Sequence, residues 1–317
     1  MDVVALAGGV GAGKFLRGLV RVVDPSDLTV IVNTGDDLRV HGLAVSPDLD
    51  SVAYWLGGVA DVERGWGRAG ETFRATEELR SFDSPDAWFG LGDLDLATHL
   101  VRTRLLAQGR TLTEATAQIA SRFGVAARLL PMSDDLVETR IDAVDEHGRA
   151  LDLHFQEYWV QRAARDEVKA VRFDGIELAR PAPGAIDAIR DADAVLLCPS
   201  NPVVSIGPIL SVPGVRDAVA ARRDRAAGVS PIVGGAPVRG MADRLLPSAG
   251  VEVSASGVAA LYEDVLSGWV IDEVDRAHAA RVEARGMRVA VTDTIMRDDA
   301  AAASLAAAAL DLALGVA

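Results

Sequence analysis

The sequence is poor in cysteine and in lysine. Cys198 is the single cysteine among 317 residues, which excludes an intrachain disulfide and a cysteine-based metal cluster. Its apolar neighbours predict a buried strand thiol rather than a nucleophile. Lys14 and Lys169 are the two lysines, and every other basic side chain except histidine is an arginine. Lys14 therefore stands out, because it follows a run of glycines.

The chain also lacks a net positive charge and long apolar runs. The formal net charge of −14 argues against a nucleic-acid surface, although a local group of donors can still bind a small anion. No apolar run approaches the roughly 18 residues of a membrane span, and no signal peptide precedes the first predicted strand. We therefore expect a soluble, cytoplasmic protein that binds neither nucleic acid nor membrane. Hydrophobic residues make up 50% of the chain, which argues against disorder.

The first apolar segment runs into a series of glycines. Residues 3–7 predict a buried strand, four glycines follow between positions 8 and 13, and a helical pattern starts at Phe15. A strand that passes through glycines into a helix presents free backbone N–H groups to a phosphate. A tight turn is the alternative. Lys14 stands where the dinucleotide fingerprint has its third glycine, and Phe15 where a P-loop has its hydroxyl. The segment predicts a phosphate site whose metal, if any, is held elsewhere.

Acidic residues gather after the second predicted strand, at 28–33. Asp36 and Asp37 follow that strand, and Asp48 and Asp50 open the next helix. Ligands of open parallel sheets lie at the carboxyl ends of the strands, so we expect these carboxylates beside the phosphate site. Carboxylates next to phosphates typically bind a hard cation. The alternatives are helix capping for Asp48 and a solvated turn for Asp36 and Asp37.

Strand and helix patterns alternate along most of the chain. Helical segments and a hairpin at 136–155 interrupt this alternation. The predicted strands after the interruption lie at 194–198, 229–233, 251–254, 269–271 and 288–291. The pattern predicts an α/β fold: a doubly wound, Rossmann-like parallel sheet with an inserted helical plus β-hairpin cap. We assign residues 1–60 and 185–317 to the nucleotide-binding core and residues 61–184 to the cap.

Three further segments offer candidate contacts. The loop at 199–208 follows a strand and carries serine and asparagine side chains and free amides that suit an anion or a ribose. Arg239 follows another strand and is placed to pair with a phosphate or carboxylate, with a surface ion pair as the alternative. Trp88 and Phe89 lie in an aromatic–glycine turn. They either fill the core or form a stacking wall for a planar ring.

A series of short motifs runs from the first strand to beyond residue 245. The motifs are GGVG at 8–11, NTGDD at 33–37, HG at 41–42, SPDLD at 46–50, RGWG at 64–67, WFGLGDLDLATH at 88–99, HFQEYWV at 154–160, PSNPVVSIGPIL at 199–210 and RGMA at 239–242. No single motif is diagnostic, but the ordered set resembles the 2-phospho-L-lactate transferase family of deazaflavin coenzyme biosynthesis. HFQEYWV and WFGLGD are most similar to its actinobacterial, phosphoenolpyruvate-transferring branch.

The resemblance implies a transferase. Its donor is a guanosine-diphosphate-activated three-carbon acid, phosphoenolpyruvate or 2-phospho-L-lactate, and its acceptor is Fo, a deazaflavin with a ribityl tail. The terminal ribityl hydroxyl attacks the acid-bearing phosphorus and GMP leaves, which gives the precursor of coenzyme F-420. The resemblance also implies Mg²⁺ as cofactor and a homodimer as assembly.

The resemblance assigns roles to individual residues. Asp36 and Asp48 are the implied catalytic metal ligands, with Asp37 as the alternative. The implied Fo contacts are Asp50, Trp88 and Phe89. The implied nucleotide contacts are Gly9, Gly11, Lys14, Ser200, Asn201, Ser205, Gly207 and Arg239. Lys14 departs from the arginine that is usual in the family, and lysine lacks the bidentate fork of arginine.

Two other functions compete with this interpretation. A non-catalytic, nucleotide-sugar-binding regulator of the gluconeogenesis factor type is similar in the glycine loop and in the NTGDD region. The WFGLGD and HFQEYWV segments count against it, because such a regulator needs no Fo pocket. A nucleotide-hydrolysing P-loop enzyme is disfavoured by Phe15.

Overall fold

The computed structural model describes residues 1–316. The strands are β1 (Val3–Ala7), β2 (Leu28–Val32), β3 (Leu38–Val40), β4 (Leu43–Val45), β5 (Arg128–Pro131), β6 (Glu138–Val144), β7 (Ala150–His154), β8 (Glu167–Asp174), β9 (Ala194–Leu197), β10 (Ala226–Val229), β11 (Ile232–Val233), β12 (Ala236–Pro237), β13 (Gly268–Asp272) and β14 (Arg288–Thr292). The α-helices are α1 (Gly9–Leu19), α2 (Pro47–Leu56), α3 (Arg74–Ser81), α4 (Asp93–Ala107), α5 (Leu112–Arg122), α6 (Ala185–Asp191), α7 (Gly207–Ser211), α8 (Val215–Ala220), α9 (Ala242–Leu245), α10 (Ala255–Ala259), α11 (Ala279–Glu283) and α12 (Asp299–Leu314). Among these helices, none combines the length and apolarity that a membrane crossing requires.

A seven-stranded parallel sheet forms the centre of the molecule, in the order β14-β13-β10-β9-β1-β2-β5. β1 is central, and Val3 pairs with Leu28 of β2 on one side and with Ala194 of β9 on the other. All five residues of β1 are buried, as is typical of a parallel strand covered on both faces. The strand order reverses between β1 and β9, which is where sheets of this kind bind ligands. The predicted Rossmann-like α/β fold is confirmed.

Two hydrophobic layers cover the sheet. Because side chains alternate along a strand, Val4 and Leu6 enter one layer and Val3 and Ala5 enter the other. The second layer contains α1, α2 and α12. Cys198 belongs to it and is buried, and burial raises the pKa of its thiol.

A smaller antiparallel sheet, β7-β6-β8, accounts for the interruption of the alternating pattern. The predicted hairpin is confirmed as β6 and β7, and β8 adds a third strand that we did not predict. β5 lies within residues 61–184 but pairs with β2 in the large sheet, so this part of the predicted cap belongs to the sheet. The division into core and cap otherwise stays a prediction.

The strand predicted at 251–254 is absent. The segment is irregular and leads into α10, whose first turn is capped by Ser254, because the Ser254 hydroxyl accepts a hydrogen bond from the Gly257 amide at 3.0 Å. The valines at 251 and 253 pack against one of the hydrophobic layers without pairing to a strand. The alternation of apolar residues over 251–254 therefore predicted a strand wrongly.

Candidate active site

A cavity of about 800 Å³ opens at the carboxyl ends of β1, β2 and β9, where the strand order reverses. The predicted residues that line it are Gly9, Gly11, Asp36, Asp48, Asp50, Trp88, Phe89, Ser200, Asn201, Ser205 and Arg239. Asp37, Gly207 and Lys14 do not line it. The structure therefore brings together residues from the glycine segment after β1, the acidic segment, the aromatic turn and the residue-200 loop.

The turn between β1 and α1 depends on glycine for close approach. Gly9 adopts a φ of +73°, in the left-handed region. A Cβ at Gly8 would lie 2.6 Å from an Asp48 carboxylate oxygen, and a Cβ at Gly11 would lie 2.6 Å from the Pro199 carbonyl oxygen. No side chain caps the N-terminus of α1, which leaves first-turn amides and the positive end of the helix dipole beside the cavity. This end of α1 suits an anion.

Two buried aspartates meet at one amide group beside this turn. Asn33 Nδ2 donates hydrogen bonds to Asp36 Oδ1 and to Asp48 Oδ2, both at 2.9 Å. Gln156 Nε2 donates to the other oxygen of Asp36 at 2.7 Å. Within residues 1–316, neither carboxylate forms an ion pair with a basic side chain. We call Asp36 and Asp48 the acid pair.

Burial raises the pKa of both members of the acid pair, and charge repulsion adds to the rise for Asp36. Burial raises the pKa of Asp36 well above its ordinary value, and the negative charge of Asp48 raises it further. Burial also raises the pKa of Asp48 from 3.8 to about 6, although hydrogen bonds from Asn33 and from the Gly9 amide oppose this. The acid pair is therefore a concentration of negative charge that lacks a positive partner among the described side chains.

Asp37 occupies a different environment. Its Oδ2 accepts a hydrogen bond from the Ser46 hydroxyl at 2.6 Å, and its backbone oxygen lies 3.2 Å from His154 Nε2. Burial raises the pKa of Asp37 as well. Because this side chain is bonded to Ser46 and does not line the cavity, Asp37 is a poorer candidate for the cavity's chemistry than the acid pair.

A second buried polar cluster borders the same cavity. Arg102, which is 1% exposed, forms a bidentate ion pair with Asp50. Tyr54 donates a hydrogen bond to Asp95 at 2.6 Å, and His99 Nε2 lies 3.3 Å from the same Asp95 oxygen. Arg102, Asp95 and His99 were not predicted as site residues. The available signal was the spacing of positions 95, 99 and 102, which places them on one face of α4.

Asp50, Asp95 and His99 are close enough to hold a metal ion, since each offers a ligand atom within 4.8 Å of the others. The Arg102 guanidinium already neutralises Asp50, however, and Tyr54 already donates to Asp95. A cation there would have to compete with these partners. The acid pair accepts hydrogen bonds from neutral amides but has no ion pair with a basic side chain within residues 1–316, so it fits a divalent cation better.

Aromatic side chains form another wall of the cavity. Trp88 and Phe89 meet edge to face, with ring centroids 5.5 Å apart. Trp66 and Phe73 form a similar pair at 5.8 Å, and the Arg64 guanidinium lies 4.8 Å from the centroid of each. All five side chains line the cavity, so this wall can contact a planar ring. Trp66, Phe73 and Arg64 were not predicted as site residues.

The residue-200 loop combines structural and cavity-facing groups. Ser200 accepts a hydrogen bond from the Gly8 amide at 3.1 Å, which ties the loop to the glycine turn. Asn201 uses its side-chain oxygen to cap a π-helical turn at 202–206, accepting from the Val203 amide at 2.9 Å. Gly207 follows this turn at the start of α7 and does not line the cavity. Such π-helical turns are frequent at functional sites.

Arg239 and Lys14 differ in where the structure puts them. Arg239 lines the cavity, and its Nη2 donates to the Arg64 carbonyl oxygen at 2.6 Å, so it does not form the alternative surface ion pair with any described carboxylate. Lys14 lines a second, separate cavity beside Trp55. α1 begins at Gly9, so Lys14 lies in its second turn, and it is not part of the lining of the first cavity, where its nucleotide contact was expected.

Comparison with known proteins identifies the family. The family model described as 2-phospho-L-lactate transferase CofD matches residues 3–310. A protein of Kitasatospora aureofaciens named phosphoenolpyruvate transferase is 50% identical to this chain over 315 residues, which cover 99% of this chain and 98% of the relative. A protein of the same name from Mycolicibacterium smegmatis is 42% identical over 330 residues, which cover 99% of both chains.

Solved structures share the fold at lower sequence identity. The crystal structure of a UPF0052 family protein from Bacillus halodurans superimposes with a TM-score of 0.65 and 16% identity, over 96% of this chain and 98% of that chain. An identity this low supports the fold alone. The family match and the relatives that span nearly the whole sequence support more. The chain belongs to the 2-phospho-L-lactate transferase family CofD and is a transferase.

Proposed function

We propose that this transferase moves a phosphoenolpyruvyl group from a guanosine-diphosphate-activated donor to the terminal ribityl hydroxyl of Fo, with release of GMP. The observation that carries this proposal is the contact between the acid pair and the glycine turn. Asp48 lies so close to Gly8 that a Cβ there would be 2.6 Å from its carboxylate. Any diphosphate on the α1 amides therefore lies next to two carboxylates that lack a positive partner.

A divalent cation, Mg²⁺ in our proposal, fits the acid pair. Asp36 and Asp48 offer the carboxylate oxygens that this cation prefers, they line the cavity, and their raised pKa values reflect negative charge that burial leaves uncompensated. When bound, the cation supplies positive charge that offsets the charge of the diphosphate. Asn33 fixes the two carboxylates at a common distance from its amide nitrogen, so that they act together.

The remaining cavity residues divide between the two substrates. We assign Gly9, Gly11, Ser200, Asn201, Ser205 and Arg239 to the guanosine diphosphate part. Trp88 and Phe89 stack against the deazaflavin ring, and Asp50, held by Arg102, accepts a hydrogen bond from the polar part of Fo. The aromatic wall and the acid pair line one continuous cavity, which lets a ring and a diphosphate bind side by side.

The bond changes follow from this arrangement. The terminal ribityl oxygen forms a bond to the acid-bearing phosphorus, and the bond from that phosphorus to the bridging diphosphate oxygen breaks. GMP leaves with the bridging oxygen, and the hydroxyl proton passes to solvent or to a cavity carboxylate. The transfer needs alignment and charge neutralisation, and no covalent intermediate with the protein.

The enolpyruvyl group is preferred over the lactyl group because relatives about half identical to this chain are named phosphoenolpyruvate transferases. Mass spectrometry of the product made from Fo, Mg²⁺ and each donor tests this preference, since the two products differ by two hydrogens. A product formed only from the lactyl donor would contradict the assignment.

Fluorescence titration with Fo separates the transferase from a regulator of the gluconeogenesis factor type, which has no reason to bind Fo. The homodimer and the cytoplasmic location stay predictions.

A further inference from the structure

A second cavity, of about 590 Å³, lies between α1, α2 and the start of α12. Lys14 and Arg17 of α1 line it, and their spacing of three residues places them on one face of the helix; Arg21, in the turn that follows α1, lines it as well. Trp55 of α2 and Asp299 of α12 line it from the other helices. None of these residues lines the first cavity, and the proposed transfer uses none of them.

Positive charge exceeds negative charge in this second cavity, although the whole chain has a formal charge of −14. The cationic lining residues are Lys14, Arg17, Arg21 and Arg297, and the acidic ones are Asp298 and Asp299. A single carboxylate, Asp299, accepts hydrogen bonds from both Arg17 at 2.6 Å and Arg21 at 2.5 Å.

The other charged lining residues do not change this balance. The Asp298 side chain accepts from the Ala301 amide at 2.8 Å and so caps α12, and Arg297 pairs with Asp293 outside the lining. Within residues 1–316, Lys14 forms no ion pair. The cavity therefore presents cations that are only partly neutralised, in a molecule whose field otherwise attracts cations.

Trp55 holds two of these cations in place. The Lys14 nitrogen lies 5.7 Å from the centre of the Trp55 ring, and the Arg17 guanidinium carbon lies at 5.8 Å. The ring itself is 3% exposed and is fixed against Gly13, where a Cβ would come within 2.5 Å of it. Because the long side chains are already held against a rigid ring, a ligand costs less of their conformational freedom when it binds.

We propose that the second cavity is a binding site for a phosphorylated small molecule that carries more than one negative charge. Arginine forks and a lysine point charge are the usual partners of phosphate oxygens. The volume of the cavity exceeds what a single orthophosphate fills, and cations approach it from both α1 and the segment before α12. This site is independent of the proposed function, because it shares no lining residue with the first cavity.

The two lysines of the chain provide a direct test. Reductive methylation of the full-length protein with ¹³C-formaldehyde gives one NMR signal from each lysine side chain. Tripolyphosphate is then titrated while both signals are followed. We expect the Lys14 signal to shift saturably, with a dissociation constant below about 1 mM. Lys169, which pairs with Glu167 on a distant strand, is the internal control and should not saturate in this range.

Arginine variants locate the binding. Arg21 is half exposed, so Arg21→Ala should fold, and we expect it to weaken tripolyphosphate binding about tenfold. Arg216→Ala removes a similarly exposed arginine that pairs with Asp264 elsewhere, and it should leave the dissociation constant unchanged. Citrate at equal charge should bind more weakly than tripolyphosphate. Lys14 and Lys169 signals that shift alike, an unchanged constant in Arg21→Ala, or equal binding of citrate would each overturn the phosphate site.

Discussion

Replacing Asp48 by asparagine should abolish the transfer reaction and yet stabilise the metal-free protein. The substitution keeps the shape of the side chain and an oxygen that can accept the hydrogen bond from Asn33 Nδ2. It removes one of the two carboxylates proposed to hold the cation. It also removes a buried negative charge that no basic side chain of residues 1–316 neutralises. Function and stability should therefore change in opposite directions.

The size of the stabilisation follows from the pKa of Asp48. Burial moves this pKa from 3.8 to about 6, which corresponds to about 3 kcal/mol at a pH above both values. Because the folded-state pKa is raised, the cost is absent below pH 3.8, grows as the pH rises to about 6, and is constant above that. Removing the charge also lowers the pKa of Asp36, since Asp48 is one of the causes of its elevation. We expect Asp48→Asn to melt about 5 °C higher than wild type near pH 8 without metal.

Calorimetry with and without Mg²⁺ measures both effects. The wild type should be stabilised by Mg²⁺ in the presence of GDP, whereas Asp48→Asn should gain little from it. Near pH 4 the difference between the metal-free proteins should shrink. A variant that melts below wild type in metal-free buffer would show that the charge of Asp48 does not destabilise the fold. A variant that keeps near-normal turnover at saturating Mg²⁺ would show that the reaction does not need this charge.

Three further perturbations test other parts of the site. Gly11→Ala places a Cβ 2.6 Å from the Pro199 backbone oxygen, and we expect titration calorimetry to show GDP binding weakened at least about tenfold. The control is Gly90→Ala, whose Cβ meets nothing closer than 3.9 Å and which should leave the affinity for GDP unchanged. Arg102→Met leaves Asp50 buried without its partner and should cost about 3–5 kcal/mol in urea unfolding, while Arg104→Met, on the exposed side of α4, should cost under about 1 kcal/mol. Trp88→Ala should raise the KM for Fo with little change in the affinity for GDP; an equal loss of both would contradict the aromatic wall.

Local patterns in the sequence were sufficient for the centre of the fold. The apolar run at 3–7 and the glycines after it predicted β1, its turn and α1, because each depends on neighbouring residues. The meeting of Asp36 with Asp48 followed from a general property of parallel sheets, whose carboxyl ends share one edge.

Features that depend on distant residues were not predictable in the same way. Arg102 lies 52 positions from Asp50, and the pattern of α4 does not identify its partner. β5 has four residues and ends in Pro131, so only its pairing with β2 identifies it as a strand. The position of Lys14 depends on the residue at which α1 begins, and helix boundaries are poorly defined by sequence. Because α1 begins at Gly9 and not at Phe15, where the sequence pattern placed its start, Lys14 lies inside the helix and lines the second cavity.

The most direct test is a crystal structure with GDP and Mn²⁺, with data collected at the manganese absorption edge. Mn²⁺ replaces Mg²⁺ at oxygen sites and gives an anomalous signal that locates it without ambiguity. The predicted result is one anomalous peak within ligand distance of Asp36 and Asp48, with the diphosphate on the amides that follow Gly8. A peak at Asp50, Asp95 and His99, or a nucleotide remote from both the glycine turn and the residue-200 loop, would contradict the proposed site.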